Sequence, residues 1–293
     1  MSGMTAAPGP IEPTSEVTID ASDIALYAEA FAPKGGAPKG VVVITHGYAE
    51  HCGRYRELAH VIVDAGWAVL SYDVRGHGQS PGPRGFVDHF ETYLRDFAAV
   101  RKAAAKLASP GAPMVLLGHS HGALITLRAL CDERPPEGVV AAIVASPFLA
   151  LRLPVPGYKK LLARVASRVS PGLEQPSGLR VEDLTTDTAK QAERAADKRC
   201  FDIATARWFT EASKAQAEVY ARAGKIKVPV TWLVGADDPI TDPAQSRRVA
   251  DRAPFTTYHD LRGMKHEVFN EVDRAKVFAE VTRALASAVT GKN

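Results

Sequence analysis

Gly118-His119-Ser120-His121-Gly122 constrains the fold more than any other stretch of this chain. An apolar run, Met114 to Leu117, precedes it, and a helix-like run, Ala123 to Leu130, follows. A strand that passes into a helix across one residue needs an unusual backbone at the serine. Side chains two positions to either side would collide with the strand and the helix, so glycine belongs there. Such a turn sits at the edge of a sheet and lifts the Ser120 hydroxyl above the strand ends. It also leaves the His121 N–H at a helix N-terminus, where partial positive charge gathers.

The rest of the sequence supplies the sheet that this turn requires. Val17 to Ile19 and Ile24 to Phe31 read as two short strands joined at Ala21-Ser22-Asp23. Val41 to Thr45, Trp67 to Tyr72 and Val139 to Ala145 are continuous apolar runs, the mark of strands buried on both faces. Helices are expected at Arg56 to Ala65, closed by Gly66, and at Phe90 to Leu107. Past Ser146 the buried runs stop, prolines crowd 147–176, and charged helical segments follow at Asp187 to Lys198 and Thr205 to Arg222. Strand and helix then alternate again: Val228 to Val234, Pro243 to Arg252, Thr256 to Leu261 and Glu271 to Val289. The chain therefore divides into a flexible tail (1–15), a first core part (16–145), an inserted helical cap (146–225) and a second core part (226–293). The expected fold is α/β, a mostly parallel sheet flanked by helices, with ligands bound at the carboxyl ends of the strands.

Composition excludes several classes. A net charge of +3 without a long Lys/Arg block does not suggest nucleic-acid binding. No apolar run reaches the length of a membrane span, and the first fifteen residues lack the basic start and apolar core of a secretory signal. The three cysteines, Cys52, Cys131 and Cys200, make neither a metal-ligand pattern nor a disulfide framework. A cytoplasmic protein is expected, with peripheral membrane contact as a further option.

A serine hydroxyl needs a histidine base, and the histidine needs an orienting carboxylate. Two later turns offer them. Gly235-Ala236-Asp237-Asp238 ends one expected strand, and Gly263-Met264-Lys265-His266-Glu267 ends the next. With these pieces the chain resembles the α/β-hydrolase superfamily, and within it the monoacylglycerol lipase and lysophospholipase group. His46-Gly47-Tyr48-Ala49-Glu50-His51 with Gly53-Arg54-Tyr55, and Asp73-Val74-Arg75-Gly76-His77-Gly78-Gln79-Ser80, complete the match. The resemblance implies Ser120 as nucleophile, His266 as base and Asp238 as acid. The G-x-x-D spacing from Gly235 selects Asp238 over Asp237; Asp242 is a weaker rival, and Asp73 is read as ordering its own turn. The implied oxyanion donors are the backbone N–H groups of Tyr48 and His121. Tyr48 is bulky where a small residue is common in monoacylglycerol lipases, a change that reshapes the acyl or alcohol pocket.

Glu50, His51 and Arg54 stand beside the oxyanion loop, either to bind a polar head group or to brace the loop. His46 and His77 are expected to bond their own turns. The histidines lack the close spacing of a metal site, and no metal or organic cofactor is expected. The implied reaction is hydrolysis of a single-chain lipid ester, a monoacylglycerol above all. Lysophospholipase, general esterase, and thioesterase or acyltransferase activity are the alternatives, since one triad serves them all. A scaffold without catalysis fits poorly with an intact serine, acid and histidine. In the cap, Leu161, Leu162, Val165 and Val169 share one helix stripe, flanked by Lys160, Arg164 and Arg168, after Pro154 and Pro156 at the helix entrance. That stripe either packs on the core or meets a lipid surface.

Overall fold

The computed structural model describes residues 7–132, 136–153 and 156–290, with Lys160 described by its backbone alone. Pro154 and the Lys160 side chain, both singled out above, lie outside the described residues. The main sheet contains β1 (Ser15–Asp20), β2 (Ala25–Phe31), β3 (Val41–Thr45), β4 (Ala68–Tyr72), β5 (Met114–His119), β6 (Val139–Ala145), β9 (Val230–Gly235) and β10 (Thr256–Leu261). A separate antiparallel ladder joins β7 (Glu174–Pro176) to β8 (Ile203–Thr205). The eight strands of the main sheet follow the order β1-β2-β4-β3-β5-β6-β9-β10. β1 and β2 are antiparallel to each other and β2 to β4; the other neighbours are all parallel.

The continuous apolar runs are explained by a core on each face of the sheet. Side chains alternate in direction along a strand. Val41 and Val43 therefore join one core, with Phe97, Leu124 and Trp232, while Val42 and Ile44 join the other, with Leu58, Ile62 and Phe278. Each such aliphatic or aromatic group contributes about 1.5–3 kcal/mol on burial. The helices that close these cores are α1 (Arg56–Asp64), α2 (Phe90–Ala104), α3 (His121–Leu130), α8 (Pro243–Ala250) and α9 (Arg274–Thr290).

Between β6 and β9 the chain forms the inserted helical segment, with α4 (Gly157–Val169), α5 (Val181–Leu184), α6 (Thr188–Ala196) and α7 (Ala206–Arg222). α7 buries Trp208, Ala212, Ala215 and Val219 in the first core. α5 and the turn after it are stitched to the loop past β10. Leu184 O accepts from Glu267 N at 2.7 Å, Glu182 O from Lys265 Nζ at 2.5 Å, and Thr185 Oγ1 donates to Asn270 O at 2.9 Å. α4 is held differently. Its polar side meets α7, where Arg207 donates twice to Ser167 O and Ser167 Oγ lies 2.9 Å from Thr210 Oγ1. Its apolar stripe faces water: Leu161, Leu162, Val165 and Val169 are 61%, 62%, 49% and 77% exposed. The stripe therefore does not pack on the core.

The N-terminal segment also departs from expectation. Instead of a tail free through residue 15, residues 7–14 lie on the second core, with Ala7 and Ile11 packed against it. His60 Nδ1 donates to Gly9 O at 2.8 Å, and Arg56 pairs with Glu12 at 2.8 Å. Ala7, Ile11 and the polar contacts of Gly9, Glu12 and Thr14 hold this stretch down. No described helix is long and apolar enough to cross a membrane.

Candidate active site

Ser120 lies between β5 and α3 with φ 51° and ψ −112°. For a residue with a Cβ this left-handed backbone costs on the order of 1–3 kcal/mol and must be imposed from outside. Bonds at both ends impose it: Ser120 N donates to Ala145 O at 2.9 Å, and Ser120 O accepts from Leu124 N and Phe148 N. The following glycine is required by contact. A Cβ on Gly122 would lie 2.1 Å from Thr45 O. Ser120 is 7% exposed. The His121 N–H, at the first position of α3, and the Tyr48 N–H make no bond to a described residue.

Asp238 and His266 follow adjacent strands, β9 and β10. A Cβ on Gly235 would come within 2.0 Å of Lys265 O, so only glycine lets the two loops touch. His266 Nδ1 stands 2.8 Å from Asp238 Oδ2, with both side chains buried. Thr241 completes the carboxylate's shell: its Oγ1 donates to Oδ2 at 2.6 Å and its N to Oδ1 at 3.0 Å, while Ile240 N donates to Oδ1 at 2.7 Å. Burial alone would raise the Asp238 pKa, but the His266 charge and these donors outweigh it and hold the carboxyl below its ordinary range. Burial likewise opposes a charged His266; Asp238, helped by Glu267 and Glu50, overrides it and lifts the imidazole above its ordinary value. The rival carboxylates are committed elsewhere. Asp237 Oδ2 accepts from Gly263 N at 2.9 Å, and Asp242 caps α8 through Ala244 N.

The two histidines that flank the serine face opposite ways. The His119 ring is 4.9 Å from that of His266, and its Nε2 donates to His266 O at 3.1 Å. His121 faces α7, where Trp208 Nε1 donates to its Nε2 at 3.4 Å. No hydrogen bond joins Ser120 Oγ to a described residue. Such contacts are often long without substrate and tighten when it binds.

Glu50, His51 and Arg54 are each occupied by protein groups, and Glu50 reaches His119, the residue before the serine. Arg54 bonds Glu50 at 2.7 Å and clasps both Glu267 oxygens at 2.6 and 2.7 Å. Glu50 Oε1 accepts from Gly47 N and Tyr55 OH, both at 2.6 Å, and faces His119 Nδ1 at 3.2 Å. Burial opposes both carboxylates, yet His119 and Arg54 hold Glu50 well below the usual range, and Arg54 lowers Glu267 below its ordinary value. One guanidinium thus ties the loop of Tyr48 to the loop of His266. His46 and His77 bond the turns around them, through Val74 N and Arg75 O. Asp73 orders its own turn, accepting from Cys52 N and Gln79 N, both at 2.7 Å.

His51, Asp197 and Cys200 bring three ligand-type atoms within 4.8 Å of one another. His51 Nδ1 accepts from Gly53 N, so the ring proton sits on Nε2 and points at Asp197, 2.7 Å away. Arg199 takes the same carboxylate. The Asp197 carboxylate is already met by His51 and by the charged Arg199.

Sequence reasoning missed Thr241, Glu267 and Trp208. Asp-x-x-Thr after a strand is the spacing of a side chain capped by its own turn and could have flagged Thr241. Glu267 and Trp208 carry no local signal.

The family model described as serine aminopeptidase, S33, matches residues 36–273. The chain is an α/β-hydrolase of this family. The hydrolase is 30% identical to the monoacylglycerol lipase of Mycolicibacterium smegmatis, over 85% of this chain and 89% of that one. It is 28% identical to a phospholipase of Bacillus subtilis, over 84% of this chain and 94% of the relative. The crystal structure of the monoacylglycerol lipase of Paleococcus ferrophilus superposes with a TM-score of 0.77 at 28% identity, covering 92% of this chain and 99% of that one. The hydrolase is a carboxylic ester hydrolase of the monoacylglycerol lipase-like kind.

Proposed function

We propose that the hydrolase cleaves monoacylglycerols to fatty acid and glycerol, with Ser120, His266 and Asp238 as its triad. The observation that carries this reading is the His266–Asp238 hydrogen bond, made by two adjacent strand ends beside a serine with an imposed backbone. Neutral His266 takes the Ser120 proton as Oγ attacks the ester carbonyl. The negative oxygen is met by the Tyr48 and His121 N–H groups, and one such donor is worth about 2.7–4 kcal/mol in a site of this type. The imidazolium, steadied by Asp238, gives its proton to the departing glycerol oxygen. Water, activated by the same ring, then releases the acyl group from Ser120. Glu50, His51 and Arg54 are read as braces, supported by their mutual bonds, rather than as contacts for a head group.

Residues 146–225 are read as a cap, with α4 as the part that meets lipid. Its outward Leu161, Leu162, Val165 and Val169, with Arg164 and Arg168 beside them, suit an anionic bilayer surface. The same basic groove, where Arg164, Arg168, Arg207 and Lys214 line about 160 Å³ between α4 and α7, favours lysophospholipid as a second substrate. The test is one panel. A fluorophosphonate probe should label the native protein and not Ser120→Ala, and monoacylglycerol should be turned over faster than lysophosphatidylcholine. Labelling without hydrolysis of either lipid would leave a serine esterase and remove the lipase reading.

A further inference from the structure

The tetrahedral carbon of the reaction has four substituents, and three have assigned neighbours. Oγ belongs to Ser120, the oxyanion lies with the Tyr48 and His121 amides, and the leaving oxygen lies with His266, which must protonate it. His266 occupies the His119 flank of the serine. The acyl chain is left the other flank, that of His121.

That flank is filled with rings. Around the His121 imidazole stand Tyr93 at 5.0 Å, Trp208 at 5.6 Å, and Tyr48 and Phe90 both at 6.0 Å between centroids. Tyr48 is the ring that bridges core and cap. It stacks on Trp208 of α7 at 3.8 Å, meets Phe201 edge-on at 5.5 Å, and donates its hydroxyl to Ile203 O at 2.8 Å. It is only partly buried, and it belongs to a loop rather than to a strand or helix. These rings wall the His121 side of the serine, with Tyr48 standing between it and Trp208 of α7.

We propose that the Tyr48 ring sets the acyl-chain length the enzyme accepts, closing the His121 side of the site to all but short and medium chains. A longer chain must displace the ring from Trp208 and break its bond to Ile203 O. This inference rests on Ser120 and the two amides acting as described above, and it narrows the substrate class to esters of short and medium fatty acids.

The test uses the full-length protein, as wild type and as Tyr48→Phe, Tyr48→Leu and Tyr48→Ala. The readout is the ratio of kcat/KM for 4-nitrophenyl palmitate to that for the butyrate, with the octanoate between them. A ratio cancels any uniform loss from a weakened oxyanion loop or a partly unfolded variant. Wild type should favour butyrate and octanoate. Tyr48→Leu and Tyr48→Ala should raise the ratio by about tenfold or more, the scale on which pocket shape discriminates apolar groups. Tyr48→Phe, which keeps the ring but not the bond to Ile203 O, should raise the ratio less than either Tyr48→Leu or Tyr48→Ala. Leu and Ala variants whose ratio stays within about twofold of wild type would overturn the proposal, as would a wild type that already favours palmitate. A parallel series of monoacylglycerols separates the two readings. If none is cleaved while the aryl-ester ratio still shifts, the lipid assignment fails and the gate stands. If the probe does not label Ser120, both fail.

Discussion

Arg54→Met should cost the protein more stability than its place beside a loop suggests. The Arg54 side chain is 9% exposed, and its partners Glu50 and Glu267 are 3% and 5% exposed. Removing the guanidinium leaves two buried carboxylates without their main counter-charge, a change that costs about 3–5 kcal/mol. For a chain of this length that corresponds to a fall in Tm of roughly 6–15 °C, at about 2–3 °C per kcal/mol. The pH dependence gives the sharper test. In the wild type both carboxyls are held below their ordinary values. They therefore contribute stability that is present above about pH 4.3 and lost as the pH falls through their folded values. In the variant the sign reverses for Glu267: burial remains without Arg54, its folded pKa rises above the unfolded one, and protonation relieves the strain. Each pH unit below the new value returns up to about 1.4 kcal/mol. Calorimetry at about pH 7.5 and about pH 5.5 should show the deficit shrinking by about 3 °C or more at the lower pH. Adding Glu267→Gln should recover part of the loss, because one stranded charge is gone. A variant melting within about 2 °C of wild type at the higher pH, or a deficit independent of pH, would refute the argument.

Three other expectations follow from the site and the cap. Asp238→Asn should lower kcat on a soluble ester by a factor on the order of 10³–10⁴, whereas Asp237→Asn, which loses only a bond to Gly263 N, should cost less than about tenfold. Because His266 is lifted above its ordinary value and must be neutral to act, wild-type activity should rise with pH through a midpoint above about 6.5, and Asp238→Asn should move that midpoint down; a profile flat from about pH 5 to 9, or equal losses in the two Asn variants, would dismiss the assignment. Native protein should sediment with anionic vesicles at low salt, and charge reversal at Lys160, Arg164 and Arg168 should weaken that binding without changing hydrolysis of a soluble short-chain ester. Failure to sediment would leave α4 as a lid alone.

What the sequence revealed depended on the range over which each signal acts. β6 and β10 run over the residues expected of them, because β-branched runs bounded by glycine and proline are local statements. The elbow was legible for the same reason. The β7–β8 ladder was not: each strand has three residues, one of them Pro176, and no alternation marks them. Periodicity correctly grouped Leu161, Leu162, Val165 and Val169, but a stripe does not say what it faces. Nor does sequence show that Arg54 meets Glu267 across 213 positions, or that Tyr48 stacks on Trp208. Those contacts exist only once the sheet order is fixed.

The stitches between α5 and the histidine loop limit where a homologous cap could be grafted. Exchanging 146–225 as a block would replace Glu182, Leu184 and Thr185, whose bonds reach Lys265, Glu267 and Asn270 on either side of His266. Such a chimera would arrive with His266, the proposed base, loosened, and a drop in kcat would say nothing about the new cap's substrate. A splice confined to α4 disturbs only its seam with α7. The role proposed for α4 can therefore be tested by transplant separately from the scaffold that keeps His266 in place.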